Sequence, residues 1–309
     1  KILRSDLVRS CFTFEYLSDN ESFILESSTF QLSVNQTLAG ILPVFMRNQL
    51  FSGLFLCLAL CLFFCLSKEK NAPPPAGPLK AETRTFHQKF CLTDDQCALF
   101  AVSVPELSGG DSVVTATVNH SVQSFILSTV GANESLPFPV AMDSAATQFV
   151  TSFKQAHTEN PDMLMGYSME INGTSLLLNP KVATIHLDGY SFTGGAHPSP
   201  FTTIVSYDLG NGGKVLTINA LLTDTNAVRP LLETGYKQAK GMKPEDNISE
   251  LLYPDLKELP MPANTAILPQ GIIFYYNAYE VAPYAVGPTE IILSWEQLGA
   301  LADRKKWVE

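Results

Sequence analysis

Charge is scarce in this 309-residue sequence. Asp, Glu, Lys and Arg make up 16% of it and hydrophobic residues 46%. That balance excludes a disordered chain, which is rich in charge and has little to bury. Basic residues are the scarcer sign, 20 against 30 acidic, for a net charge of −10. So negative a chain excludes a sequence-independent grip on nucleic acid and favours a cationic partner. The histidines are His87, His120, His157, His186 and His197, too dispersed for a metal motif. No metal or cofactor is expected. An internal repeat of fixed period and a nucleophile elbow are also lacking. Ser191, His197 and Asp208 align as a triad only on paper. Gly210-Asn-Gly-Gly213 is followed by Lys214-Val215, not by Lys and then Ser or Thr, so it reads as a hairpin turn and not a phosphate loop. No catalytic set is visible.

There is one long apolar run. From Met46, the first methionine, Arg47 precedes the 17 uncharged residues Leu50–Leu66, and Lys68-Glu-Lys70 ends them. This order is that of a secretory leader. The run is shorter than the roughly 20 residues of a membrane span, with an uncleaved anchor as the alternative. The expected organisation is an irregular extension over 1–45, a signal peptide or lipoprotein leader over 46–65, and a Pro-rich tether over 66–82. Asn71-Ala-Pro-Pro-Pro-Ala-Gly-Pro78 makes that tether stiff. Cys65, with Leu62 three residues before it, is the expected lipidation site, although Phe64 is larger than the residue usual there; Cys61 is the second choice. A thiol-linked lipid would anchor the protein to a membrane without spanning it. The expected location is therefore the bacterial cell envelope, exported and membrane-anchored, on a periplasmic or surface face. Beyond the leader only Cys91 and Cys97 remain, and in an oxidising compartment they should pair as a disulfide. Without residues 1–65 the chain keeps 16 basic and 25 acidic residues, a net −9.

The rest divides into halves, 83–190 and 191–309. In the first, Ala98–Val104 reads as a strand bounded by Pro105, and Leu107-Ser-Gly-Gly-Asp111 as a turn. Val114, Val118, Val122, Phe125, Ile126 and Thr129 share one helical face, as do Ala145, Ala146, Phe149, Val150, Phe153 and Ala156. Alternation through Met163, Met165, Tyr167, Met169 and Ile171 predicts a half-buried strand. Asn172-Gly173 predicts a hairpin turn, and alternation resumes through Ala183, Ile185 and Leu187. In the second half, strands are expected at Thr202–Asp208, Lys214–Ile218, Gly271–Tyr276 and Thr289–Ser294. Helices are expected at Ala227–Ala239 and Trp295–Ala302, and prolines punctuate 244–269. Hairpins with segregated helices predict an α+β fold, mostly antiparallel sheet with flanking helices, the two halves forming one compact extracytoplasmic module.

Three stretches carry a family resemblance: Gly194-Gly-Ala-His-Pro198 with Thr217–Leu222, Phe274–Gly287, and Ile291–Leu298. They resemble the RsiV-like C-terminal domain, the DUF3298 family, found in a bacterial anti-sigma factor that is a lysozyme receptor. The first half resembles the PdaC/RsiV-like domain, DUF4163, that precedes it. The resemblance implies an α+β fold and extracytoplasmic binding, with lysozyme, another cationic protein or peptidoglycan as partner. No sigma-binding segment is recognisable before the apolar run. The deacetylase activity of PdaC belongs to a separate domain with a metal-binding histidine motif, which this sequence lacks.

The candidate ligand-binding residues are Gly194, Gly195, His197, Tyr275, Tyr279, Glu280 and Tyr284. His197 follows two glycines and precedes Pro198, so it either contacts a ligand or bonds within its own turn. The tyrosines either stack on a ligand or pack in the core, and Glu280 either meets a cation or is a solvated loop charge. The expected function is non-catalytic binding of lysozyme or cell-wall glycan by an envelope lipoprotein. A hydrolase acting on wall material and a structural envelope protein are the alternatives.

Overall fold

The computed structural model describes residues 77–160 and 165–309. The expected extension, the leader with Cys65, and the tether up to residue 76 lie outside the described residues.

Six strands form the larger sheet in chain order. They are β1 (Lys80–Cys91), β2 (Cys97–Ser108), β3 (Tyr167–Leu178), β4 (Val182–Phe192), β5 (Ser199–Asp208) and the short β6 (Lys214–Val215). Every neighbouring pair is antiparallel except β2–β3, which is parallel. A parallel pair needs a long crossover, and here it holds α1 (Ser112–Thr129) and α2 (Phe138–Glu159). Asp111 starts α1 by accepting from the amides of Val113 and Val114, the role its residue type favours at an N-cap. Pro137 precedes α2, with Pro139 in its first turn.

Both helices cover one face of this sheet. Val118, Val122 and Ile126 of α1 and Ala141, Met142 and Ala145 of α2 share a core with Phe100, Val102, Ile171, Ile185 and Leu187. The alternating residues of β2–β5 therefore point to the opposite, helix-free face. At the outer strand, Phe86 meets Phe138 edge-on at 5.4 Å between ring centroids.

A second sheet is the antiparallel meander β7 (Asn264–Leu268), β8 (Gly271–Tyr276) and β9 (Thr289–Ser294). The single-turn α3 (Ile218–Leu221) and the longer α4 (Thr225–Ala239) precede it, and α5 (Trp295–Leu298) and α6 (Arg304–Trp307) follow it. Val228, Leu232 and Tyr236 of α4 share a core with Ile272, Phe274, Tyr276, Ile291 and Leu293. Gly235 lets α4 approach β9, since a Cβ there would meet Ile291 Cγ2 at 2.5 Å.

The expected α+β class with mostly antiparallel sheet is what the structure shows. The division expected at 190/191 falls within β4, which pairs along its length with β5. Four local expectations need correction. β2 continues through Pro105, because the parallel pairing with β3 ends at Ser103 and leaves that side of the strand without a ladder to break. Asn172-Gly173 is not a turn: both residues lie inside β3, and the chain reverses at Asn179–Lys181. The partner of β5 stops at Val215, and α3 begins at Ile218. β7 lies inside the proline-punctuated stretch and is buried at all five positions.

Cys91 and Cys97 face each other at the end of the β1–β2 hairpin and form a disulfide. The loop it closes is short, so replacing both cysteines with serine should lower stability by about 2 kcal/mol. Chemical denaturation of the variant against the oxidised parent measures this.

Candidate ligand-binding face

Two loops far apart in sequence meet at one end of the structure. The first, residues 193–198, joins β4 to β5, with Gly194 at φ +87° where a side chain would be strained. Gly195 and His197 are exposed in the same loop. The second, residues 277–288, joins β8 to β9. Tyr284 is the middle ring of a three-ring row. It stacks on His197 at 5.6 Å with planes 23° apart, and lies against Tyr279 at 5.3 Å and 31°. Offset stacking of this kind suits the quadrupoles of the rings.

Tyr279 is the outer member and is 55% exposed. It sits at φ +68°, and among the described residues no other non-glycine has a positive φ. Such a backbone costs about 1–3 kcal/mol at a non-glycine residue and persists where the surrounding structure enforces it. Glu280 helps enforce it by accepting from the Asn277 amide at 2.8 Å. Asn277 fixes the base of the loop to β5: its side chain accepts from the Thr202 amide at 2.7 Å and donates to the Thr202 carbonyl at 2.9 Å. Asn264 also bonds to the same strand edge, donating to the Thr202 carbonyl at 2.8 Å and accepting from the Ile204 amide at 3.2 Å.

The far side of the loop is held by Lys240, at the C-terminus of α4. Its ammonium donates to the carbonyls of Val286 at 2.7 Å, Pro288 at 3.0 Å and Gly287 at 3.4 Å. Burial pushes this lysine below its ordinary value, and the three carbonyls offset that cost by accepting from the charged form. Lys240→Met should lower stability by about 1 kcal/mol. Hydrogen exchange should quicken at the amides of Val286 and Gly287, more than at β8.

Of the sequence-predicted residues, the structure thus brings Gly194, Gly195, His197, Tyr279, Glu280 and Tyr284 into two adjoining loops. Tyr275 stands apart on β8, half-buried against Ile204, Ala266, Leu268 and Ile273. Tyr276 is fully buried and donates to the Pro260 carbonyl at 2.7 Å, and burial pushes its phenol pKa up.

Sequence reasoning missed the floor beside the ring row. On the helix-free face, Asp188 Oδ1 accepts from Thr202 Oγ1 at 2.8 Å and lies 3.1 Å from His186 Nε2. Asp188 stands opposite Asn172, and Tyr190 opposite Glu170, in the β3–β4 register. Glu170 accepts from Ser168 at 2.5 Å, and Ser103 donates to Asn172 Oδ1 at 3.4 Å. Polar residues at every second position of β3 and β4 were the available signal. Among the described residues, no group of three or more His, Cys, Asp or Glu side chains converges to hold a metal ion.

Residues 219–296 match the model of the family described as protein of unknown function DUF3298. Residues 92–200 match a second model, described as deacetylase PdaC. The DUF3298 match takes in Tyr279 and Tyr284 of the 277–288 loop, and the PdaC match takes in the 193–198 loop and the polar floor. A DUF3298 family member from Bacteroides fragilis has a similar crystal structure, with a TM-score of 0.57 and 19% identity, covering 74% of this chain and 95% of that one. Another from Pseudomonas aeruginosa aligns with a TM-score of 0.49 and 18% identity, over 74% of this chain and 97% of that one. No curated protein matches the chain.

Proposed function

We propose that this protein is a non-catalytic, envelope-associated binding protein whose 193–198 and 277–288 loops form the recognition patch. The observation that carries the reading is the ring row of His197, Tyr284 and Tyr279, with its outermost ring exposed on a left-handed backbone. Backbone strain held in place by neighbouring side chains concentrates where ligands are gripped. Exposed aromatic rings supply large contact area at low entropic cost. The DUF3298 and PdaC-like matches support an envelope setting, and lysozyme and cell-wall glycan are the two ligands tested. A net charge of −10 would speed encounter with a basic protein, in a salt-dependent way.

Tyr279→Gly separates recognition from folding. Glycine relieves the backbone strain, so the variant should be as stable as the parent or more so, yet it loses the outer ring. Full-length protein in detergent should be retained on immobilised lysozyme or on insoluble peptidoglycan at about physiological ionic strength, and Tyr279→Gly should abolish that retention. An unrelated protein of similar basic charge serves as the control for steering alone. Retention on neither surface, or retention equal to that of the control and unchanged by Tyr279→Gly, overturns the proposal.

A further inference from the structure

We infer that the helix-free face of β3 and β4, beside the ring row, is a saccharide subsite that takes an uncharged pyranose unit. This inference rests on the proposed recognition patch and names its ligand class. The floor is a two-by-two array in which Glu170 stands opposite Tyr190, and Asn172 opposite Asp188. Opposed side chains in a sheet lie about 5 Å apart. Successive same-face positions along a strand lie about 7 Å apart. The array therefore has close to the footprint of one pyranose ring.

Each polar member is held by a neighbour through one atom. Asp188 receives both His186 and Thr202 on Oδ1, which leaves Oδ2 to accept from a ligand. Glu170 receives Ser168 on Oε1, which leaves Oε2. Asn172 accepts from Ser103 on Oδ1, and its side-chain N–H groups remain to donate. Acceptors fixed before binding, with one lone-pair direction left over, suit hydroxyl and acetamido donors and reduce the ordering cost of capture.

The aromatic platform is at hand. Among the described residues, the large exposed hydrophobic side chains include two aromatic ones, Tyr190 at 39% and Tyr279 at 55% exposure. Both belong to this end. Thr202 joins them, since its backbone is held by Asn277, two residues before Tyr279, and its hydroxyl by Asp188, two residues before Tyr190. A protein partner would call for an apolar patch at the centre of the contact, whereas this floor is built of oriented polar groups with tyrosines at its border. The carboxylates of Glu170 and Asp188 select against polyanionic glycans.

The test uses full-length protein and isothermal titration with the hexasaccharides of N-acetylglucosamine and of glucose, with dextran sulfate as the anionic comparison. A neutral hexasaccharide should bind, dextran sulfate should not, and Tyr190→Ala and Asp188→Asn should each weaken binding about tenfold. Melting temperatures of both variants, with Glu170→Gln as a second polar substitution, confirm that they are folded. If neither hexasaccharide binds while lysozyme is still retained in a Tyr279-dependent way, the saccharide subsite is wrong and the recognition patch stands. If a hexasaccharide binds and responds to Tyr279→Gly but to none of the three floor variants, the floor is wrong. If nothing binds to the parent, both readings fall.

Discussion

Gly173→Val should lower the unfolding free energy by about 3 kcal/mol, at the upper end of the usual cost of overpacking. It would be read as a lower denaturant midpoint at an unchanged slope. Gly173 lies within β3 opposite Leu187. A Cβ there would stand 2.5 Å from Pro105 Cδ, 2.8 Å from Leu187 Cδ2 and 2.9 Å from the Ser103 carbonyl oxygen. The prolyl ring and the carbonyl belong to β2 and cannot rotate away. Valine is otherwise a good strand residue, so the loss would come from the close approach of β2 to β3. Thr174→Val, one residue on and exposed, is the control and should stay within about 0.5 kcal/mol of the parent. Equal effects at the two positions would show that the packing explanation is wrong.

The same glycine shows where local pattern misleads. Asn-Gly is a strong hairpin signal because both residues tolerate a left-handed backbone. Here the glycine is needed for missing volume, and only the β2 neighbour reveals that. Features decided within a few residues were legible: the apolar faces of α1 and α2, and β8 and β9 at their observed bounds. β7 was hidden because Pro260, Pro262 and Pro269 surround five residues whose burial comes from both sheets. The site was legible in parts. The tyrosines of 275–284 and the Gly-Gly-Ala-His segment stood out, but nothing local to either predicts that His197 stacks on Tyr284. The floor of Glu170, Asn172, Asp188 and Tyr190 depends on the β3–β4 register, which two separately read strands do not specify.

The two sheets should be found to depend on a closed ring of three hydrogen bonds. Thr184 and Ser206 are fully buried on the helix-free face of β4 and β5. The Ile267 amide donates to Ser206 Oγ at 2.9 Å, the two hydroxyl oxygens lie 2.7 Å apart, and Thr184 donates to the Ile267 carbonyl at 2.7 Å. Proton counting then makes Ser206 the donor to Thr184, and the ring closes with every member satisfied. β7 is an edge strand of its sheet, so these two hydroxyls pair an edge residue that would otherwise lie buried and open. Ser206→Ala orphans the Ile267 amide and Thr184→Val orphans its carbonyl, and each should cost about 2 kcal/mol. The double variant should cost about 3 kcal/mol, less than the two together, because the first substitution already breaks the ring for both. Equilibrium denaturation of the four proteins closes the cycle. Strictly additive losses would mean two independent contacts and no ring. Because β8 and β9 flank the 277–288 loop, the double variant should also loosen the grip of Asn277 on β5. Its retention on the ligand surface should then fall even under conditions where it remains folded.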